Sequence, residues 1–236
     1  MPRPFRGLHL IAAHRRAPAS DRALATVLAA IAGAVNAGGF ILLGSYTSHM
    51  TGYLSALADN IVLQNLGLVV KSLFAISLFV VGAATSAATI NWARDHRPRQ
   101  QYALPVGIQG LMLVALASLG AAGLPMALTQ SMGLGLICFT MGFQNATITK
   151  ISNARIRTTH ATGMITDVGI ELGRALYGQA FSTPIRADRA KLGILLQLLG
   201  GFLIGGIFGA IGYSYAGLAF SLPLAAVLLV ISALTR

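Results

Sequence analysis

The stretch Thr47-Ser48-His49-Met50-Thr51-Gly52 returns in the second half of the chain as Thr158-Thr159-His160-Ala161-Thr162-Gly163, both copies reading Ser/Thr-His-x-Thr-Gly. Each copy trails a Gly-x-x-Asn-Ala on the hydrophobic segment before it, at residues 33–37 and 142–146. Each is followed by a helix-like stretch carrying carboxylates, Asp59 in the first case and Asp167 with Glu171 in the second, although the whole chain holds only 6 acidic residues. Further on, Phe79-x-x-Gly82-x-x-x-Ser86-Ala87 matches Phe202-x-x-Gly205-x-x-x-Gly209-Ala210. These correspondences read as an internal repeat, with the polar chemistry gathered around the two motifs.

Outward from the motifs the chain is apolar. Hydrophobic residues make up 55% of the 236 and charged ones 10%, and the mean hydropathy is +0.72, a balance foreign to a water-soluble domain of this length. Nearly uncharged runs at residues 23–43, 72–92, 103–122, 127–149, 192–213 and 216–234 approach or exceed the about 20 residues that cross a bilayer as helix. The fold class is therefore an all-α polytopic membrane protein. The net charge of +11 comes from Lys and Arg between these runs or in the N-terminal tail, not from a patch interleaved with aromatics, so the expected partner is the lipid bilayer and not nucleic acid. The single cysteine, Cys138, lies mid-run and builds neither an intrachain disulfide nor a metal site.

Whether the segments after the motifs cross the membrane decides the topology. Residues 51–66 would make a helix of roughly 24 Å containing Asp59, Asn60, Gln64 and Asn65, and residues 162–181 contain Asp167, Glu171, Arg174 and Gln179. Neither resembles a lipid-facing span. If both crossed, eight spans would put Arg94, Arg97, Arg99, Lys150, Arg155 and Arg157 outside, six of the 17 basic residues. If both return to the side they came from, six spans remain, and among loop and tail charges only Lys71 lies outside, as the excess of positive charge on cytoplasmic loops requires. The expected architecture is six transmembrane helices plus two re-entrant half helices in an inverted-topology repeat: a basic cytoplasmic tail at 1–22, repeat 1 at 23–122 and repeat 2 at 123–236, both termini cytoplasmic. Such repeats with broken helices at mid-membrane recur in transport pathways, because irregular backbone survives at that depth only where protein or water satisfies it. The tail carries Arg3, Arg6, Arg15, Arg16 and Arg22 around an apolar patch too short for a signal peptide, so the first span is read as an uncleaved signal anchor and the tail as a disordered cytoplasmic segment touching anionic lipid, with an organellar transit sequence as the rival.

The motif residues suit a solute path. Ser48, Thr51, Thr159 and Thr162 stand where their hydroxyls could cap a starting helix, and the helix N-terminus favours an anion or electron-rich oxygen. Gly52 and Gly163 complete the turns, His49 and His160 add a switchable donor or acceptor, and Asn36 and Asn145 add amides from the preceding span. The rival reading makes each His a structural residue bonded to a carbonyl and each Asn a link between helices. Asp59, Asp167 and Glu171 are candidates for proton or cation coupling, since intramembrane carboxylates are costly and usually functional; against that, Glu171 and Arg174 could neutralise each other at i,i+3. The small-residue faces at Ala29, Gly33, Ala37 and at Gly201, Gly205, Gly209 read as packing seams.

No Gly-x-Ser-x-Gly, His-Glu-x-x-His, phosphate loop or cysteine cluster is present, so no catalytic residue, metal or cofactor is assigned. Asn-Ala-Gly-Gly-Phe-Ile-Leu-Leu-Gly leading to Ser-His-Met-Thr-Gly, and Gly-Phe-Gln-Asn-Ala-Thr leading to Thr-His-Ala-Thr-Gly, resemble the YoaK family of bacterial multi-pass membrane proteins over residues 22–235. The resemblance implies an inner-membrane protein of about six spans and supplies no substrate. Tyr53, where a small polar residue is expected, departs from the pattern and would narrow that half of a pathway. The expected function is a small transporter or channel-like carrier of a small anionic or weakly acidic solute, proton-coupled through the carboxylates, with a homo-oligomer allowed. The rivals are a membrane-embedded enzyme acting on a lipid or quinone-like substrate and a non-catalytic scaffold.

Overall fold

A computed structural model describes residues 18–151 and 159–234, with side chains from Arg22 onward. The expectations for the N-terminal arginines and for Arg155, Arg157 and Thr158 fall outside the described residues. Eight α-helices follow one another: α1 Pro18–Leu43, α2 Met50–Val62, α3 Leu66–His96, α4 Ala103–Ala121, α5 Met126–Ile151, α6 Ala161–Ala180, α7 Arg189–Ala216 and α8 Ser221–Leu234. A 3-10 turn at Gly217–Phe220 joins the last two without a polar gap, and no strand occurs among the described residues.

Among the described residues five segments are long and apolar enough to cross a membrane: Arg22–Leu43, Leu66–His96, Ala103–Ala121, Met126–Ile151 and Arg189–Leu234. That count is one short of the expected six because the last segment runs 46 residues through α7 and α8. As straight helix it would measure about 69 Å, more than twice the hydrocarbon thickness of about 30 Å. Gly217, at φ 54°, takes the left-handed conformation that ends α7, one that glycine adopts without strain. α3 stays helical through His96, past the end of the apolar run at residue 92, so Arg94 lies on its last turn.

The helices pack as interlocked pairs. α1 and α7 run side by side in the same direction: Gln197 donates to Thr26 Oγ1 at 2.9 Å toward their starts, and Gly38 meets the Tyr213 ring toward their ends. α3 and α5 are likewise parallel, with Gly135 against Phe74 and Leu78 and Ser86 sharing a 2.8 Å hydrogen bond with Thr147 further along. α1 and α5 are antiparallel, since Gln144 donates to the Leu28 carbonyl at 2.6 Å while Leu43 lies beside Gly133. α4 and α8 also run antiparallel, Gly107 facing Ser232 and Gly110 facing Leu229. It follows that α1 and α3 point in opposite directions, as do α5 and α7.

Glycine makes the close crossings. A Cβ on Gly33 would strike the Phe202 carbonyl and one on Gly205 that of Ala30; in the other pair, a Cβ on Gly142 would strike the Phe79 carbonyl and one on Gly82 that of Phe139. The α1–α7 crossing falls on the small-residue faces read from the sequence at Gly33 and Gly205, whereas the α3–α5 crossing at Gly82 and Gly142 is not among them; at both, backbones touch and dispersion replaces the hydrophobic effect. α1 and α5 form the centre, with 56% and 50% of their apolar windows buried, whereas the corresponding share of α3 is 17%. The outer faces stay apolar, Val80, Val81, Leu203, Ile207 and Phe208 among them all exposed, a surface suited to lipid and not to water.

Candidate functional site

α1 stops where its sequence lets it. Gly44 has φ 62°, its N–H donates to the Phe40 carbonyl at 2.9 Å, and the Ser45 N–H reaches back to Gly39 at 3.3 Å, an αL ending that satisfies free carbonyls. The chain then turns back along α1. Asn36 Oδ1 accepts from both the Ser48 N–H, at 3.1 Å, and the Ser48 hydroxyl, at 3.0 Å. In the second half Asn145 Oδ1 accepts from the Thr159 hydroxyl at 2.8 Å. The same Asn, on the helix before each motif, therefore holds the residue just before each histidine.

The histidines take the helix starts. His49 is the N-cap of α2 and His160 of α6, and neither side chain caps a backbone N–H. Capping by the neighbouring hydroxyls, expected from the sequence, does not occur: the asparagines have drawn Ser48 and Thr159 away, while Thr51 and Thr162 lie beyond the caps, inside the helices. Both histidines are exposed, as are Thr51, Thr162 and Gly163. The His49 ring lies over the first turn of α2, where a Cβ on Gly52 would run into it, whereas Gly163 faces open space.

The carboxylates divide into two kinds. Asp59 is exposed on α2 and makes no ion pair among the described residues. Glu171 is buried, at 1% exposure, and is bonded on several sides. The Asp188 N–H donates to it at 2.9 Å, Arg174 pairs with it at 3.2 Å and Lys191 at 3.5 Å. Asp167 meets the same Lys191 at 3.3 Å. The i,i+3 neutralisation by Arg174 is thus present, and the 182–191 loop adds a donor that helical spacing does not reveal. The Glu171 carboxyl, on a helix that is not one of the five spans, is held below the usual carboxylate range by the Asp188 N–H first, against the upward push of burial, and then by Arg174 and Lys191.

Two polar clusters escape a motif reading. Gln109 on α4 donates to Gln144 on α5, which donates in turn to Leu28 on α1, so two fully buried glutamines link three helices. Lys71, on the second turn of α3, donates to Ser45 Oγ at 2.8 Å. Single polar residues scattered on apolar helices carry no spacing signal, and only their adjacency to Asn145 and to the first motif could have drawn attention. Among the described residues no group of three or more His, Cys, Asp and Glu is placed to hold a metal. An open hollow of about 410 Å³ lies at Arg97, Pro98, Arg99 and Gln100, and no motif residue lines it.

A family model described as a protein of unknown function, DUF1275, matches residues 24–235, which takes in every described helix except the start of α1. The chain belongs to the DUF1275 family. Neither a curated protein nor a solved structure matches it. For DUF1275 the match covers both motifs and both glycine seams.

Proposed function

We propose that the chain is a small transporter or channel-like carrier of the bacterial inner membrane, moving a small anionic or weakly acidic solute between two inverted repeats. The two halves run as six spans, α1, α3, α4, α5, α7 and α8, with both termini cytoplasmic. α2 and α6 dip in from opposite sides and leave on the side they entered. The observation that carries this reading is the matched pair of hydrogen bonds from Ser48 to Asn36 and from Thr159 to Asn145, set beside matched glycine crossings. Opposite directions of α1 and α3, and of α5 and α7, support α2 and α6 as segments that do not cross. Both histidines are exposed and stand at helix starts, where the positive dipole end favours an anion, and this favours a solute path over a scaffold with buried histidines. Asp59, without an ion-pair partner among the described residues, is the carboxylate suited to proton coupling; Asp167 and Glu171 serve the α6–α7 junction first. The resemblance to the YoaK group rests on the same two motifs.

The test is a flux panel of small anions and weak acids in proteoliposomes. His49→Ala and His160→Ala each lower the flux of one solute by about tenfold or more, the loss of a charge-assisted contact. Unchanged flux of every transported solute in both variants rejects the pathway. Reporter fusions at Pro98 and Asn153 both read cytoplasmic, and a periplasmic signal at either ends the six-span topology.

A further inference from the structure

We infer that Lys71, Ser45 and Tyr53 form an anion-docking site in the half of the molecule that contains α2, a site taking the oxygens of a small carboxylate. This deepens the proposed transport of a weak acid and rests on it. Lys71 lies one turn inside an apolar helix, half-buried, and its ammonium donates one proton to Ser45 Oγ at 2.8 Å. No carboxylate among the described residues lies within ion-pairing distance of it. A lone cation at a membrane helix is costly and ordinarily finds a counter-charge. Tyr53, in the first turn of α2, is 8% exposed. Its hydroxyl, with Ser45 and Cys138 nearby, has no hydrogen-bond partner among the described residues. A buried, unpaired hydroxyl is itself destabilising, so Tyr53 holds a donor without an acceptor in the same half of the molecule as the ammonium bound to Ser45.

The donors complement a carboxylate. Ser45 Oγ, accepting from Lys71, keeps its own proton to give, Tyr53 gives another, and the ammonium has two left. The start of α2 at Met50, five residues past Ser45, adds its positive end to the same neighbourhood. Where the repeat places the equivalents of Lys71 and Tyr53, the second half has Ile194 and Met164, so the site belongs to one half only and selects solute on one side of the pathway.

Thermal unfolding of the whole protein in nanodiscs of zwitterionic lipid, titrated with acetate, formate, chloride or phosphate, reads the site without any flux measurement. Acetate and formate raise the wild-type Tm saturably. Lys71→Gln weakens the apparent affinity by about tenfold or more and Tyr53→Phe by about threefold, while Lys71→Arg, which keeps the charge, retains most of the response and reports correct folding. Absence of a saturable response in the wild type, or an equal response in Lys71→Gln, overturns the site. A parallel series in nanodiscs containing anionic phospholipid identifies the other source of anionic oxygen. If that lipid abolishes the acetate response through Lys71, the group recognised is a headgroup and the small-solute assignment falls. A protein that binds acetate through Lys71 but transports nothing sinks the transport reading and leaves the site; flux indifferent to Lys71→Gln sinks the site alone.

Discussion

At the scale of single residues, Asn36 and Asn145 are the hinge pins of the motifs. Each is the acceptor that turns the chain back on its own helix, so Asn36→Ala leaves the Ser48 N–H and hydroxyl unanswered and destabilises by about 1–3 kcal/mol. Asn145→Ala costs a comparable amount, both read by chemical denaturation in detergent; a loss at one site only would break the equivalence of the motifs. Glu171 sets a pH dependence. Its folded carboxyl is more acidic than an unfolded one, so its stabilisation is complete above the unfolded value of about 4.3 and disappears as pH falls through the depressed value. The Tm of the wild type therefore drops on acidification below about pH 4, and Glu171→Gln shows a lower Tm at pH 7 with a shallower acid limb. The sequence made both asparagines visible through the repeated Gly-x-x-Asn-Ala. It did not disclose that they would hold the hydroxyls expected to cap, because whether a Ser oxygen reaches a helix N–H or its proton reaches an Asn carbonyl oxygen is decided by where the chain turns. The Lys191 bonds to Asp167 and Glu171 were hidden for a related reason, as helical periodicity reports neighbours within a helix and nothing across a loop.

At the scale of elements, the glycines separate into those that touch backbone and those that do not. Gly33→Ala, Gly82→Ala, Gly142→Ala and Gly205→Ala each drive a methyl into a neighbouring carbonyl, and overpacking of this kind costs about 1–3 kcal/mol. Gly163→Ala and Gly169→Ala meet nothing within 4 Å, and in a helix alanine is the better residue by about 1 kcal/mol, so both are neutral or stabilising. Unfolding curves for the six variants check the division directly. The faces of the α1–α7 seam were legible as small-residue spacing in the sequence, as were the helix positions. Which seam met which was not, since glycine faces fit many partners and pairing is settled only when every helix is placed. The α7–α8 boundary was legible only as the two-residue break between the apolar runs ending at 213 and beginning at 216.

At the scale of the whole molecule, each central helix of one half finds its closest companion in the other: α1 in α7, α5 in α3. Expressing residues 1–122 and 123–236 as separate chains is expected to give two fragments that each degrade or aggregate alone and regain the native Tm when made together. A fragment stable by itself would contradict the interlocked packing. The overall charge asymmetry that argued for six spans belongs to this scale too, and it was readable because lysine and arginine mark loops whatever the packing inside.

The parallel pairing of α1 with α7 has a consequence for biogenesis. During synthesis α1 enters the bilayer while α7 is still unmade, so its glycine face spends that interval against lipid tails or against the insertion machinery. The nascent first half thus carries an unmatched glycine face through that interval, and α1 gains its closest backbone contact only once α7 has been made.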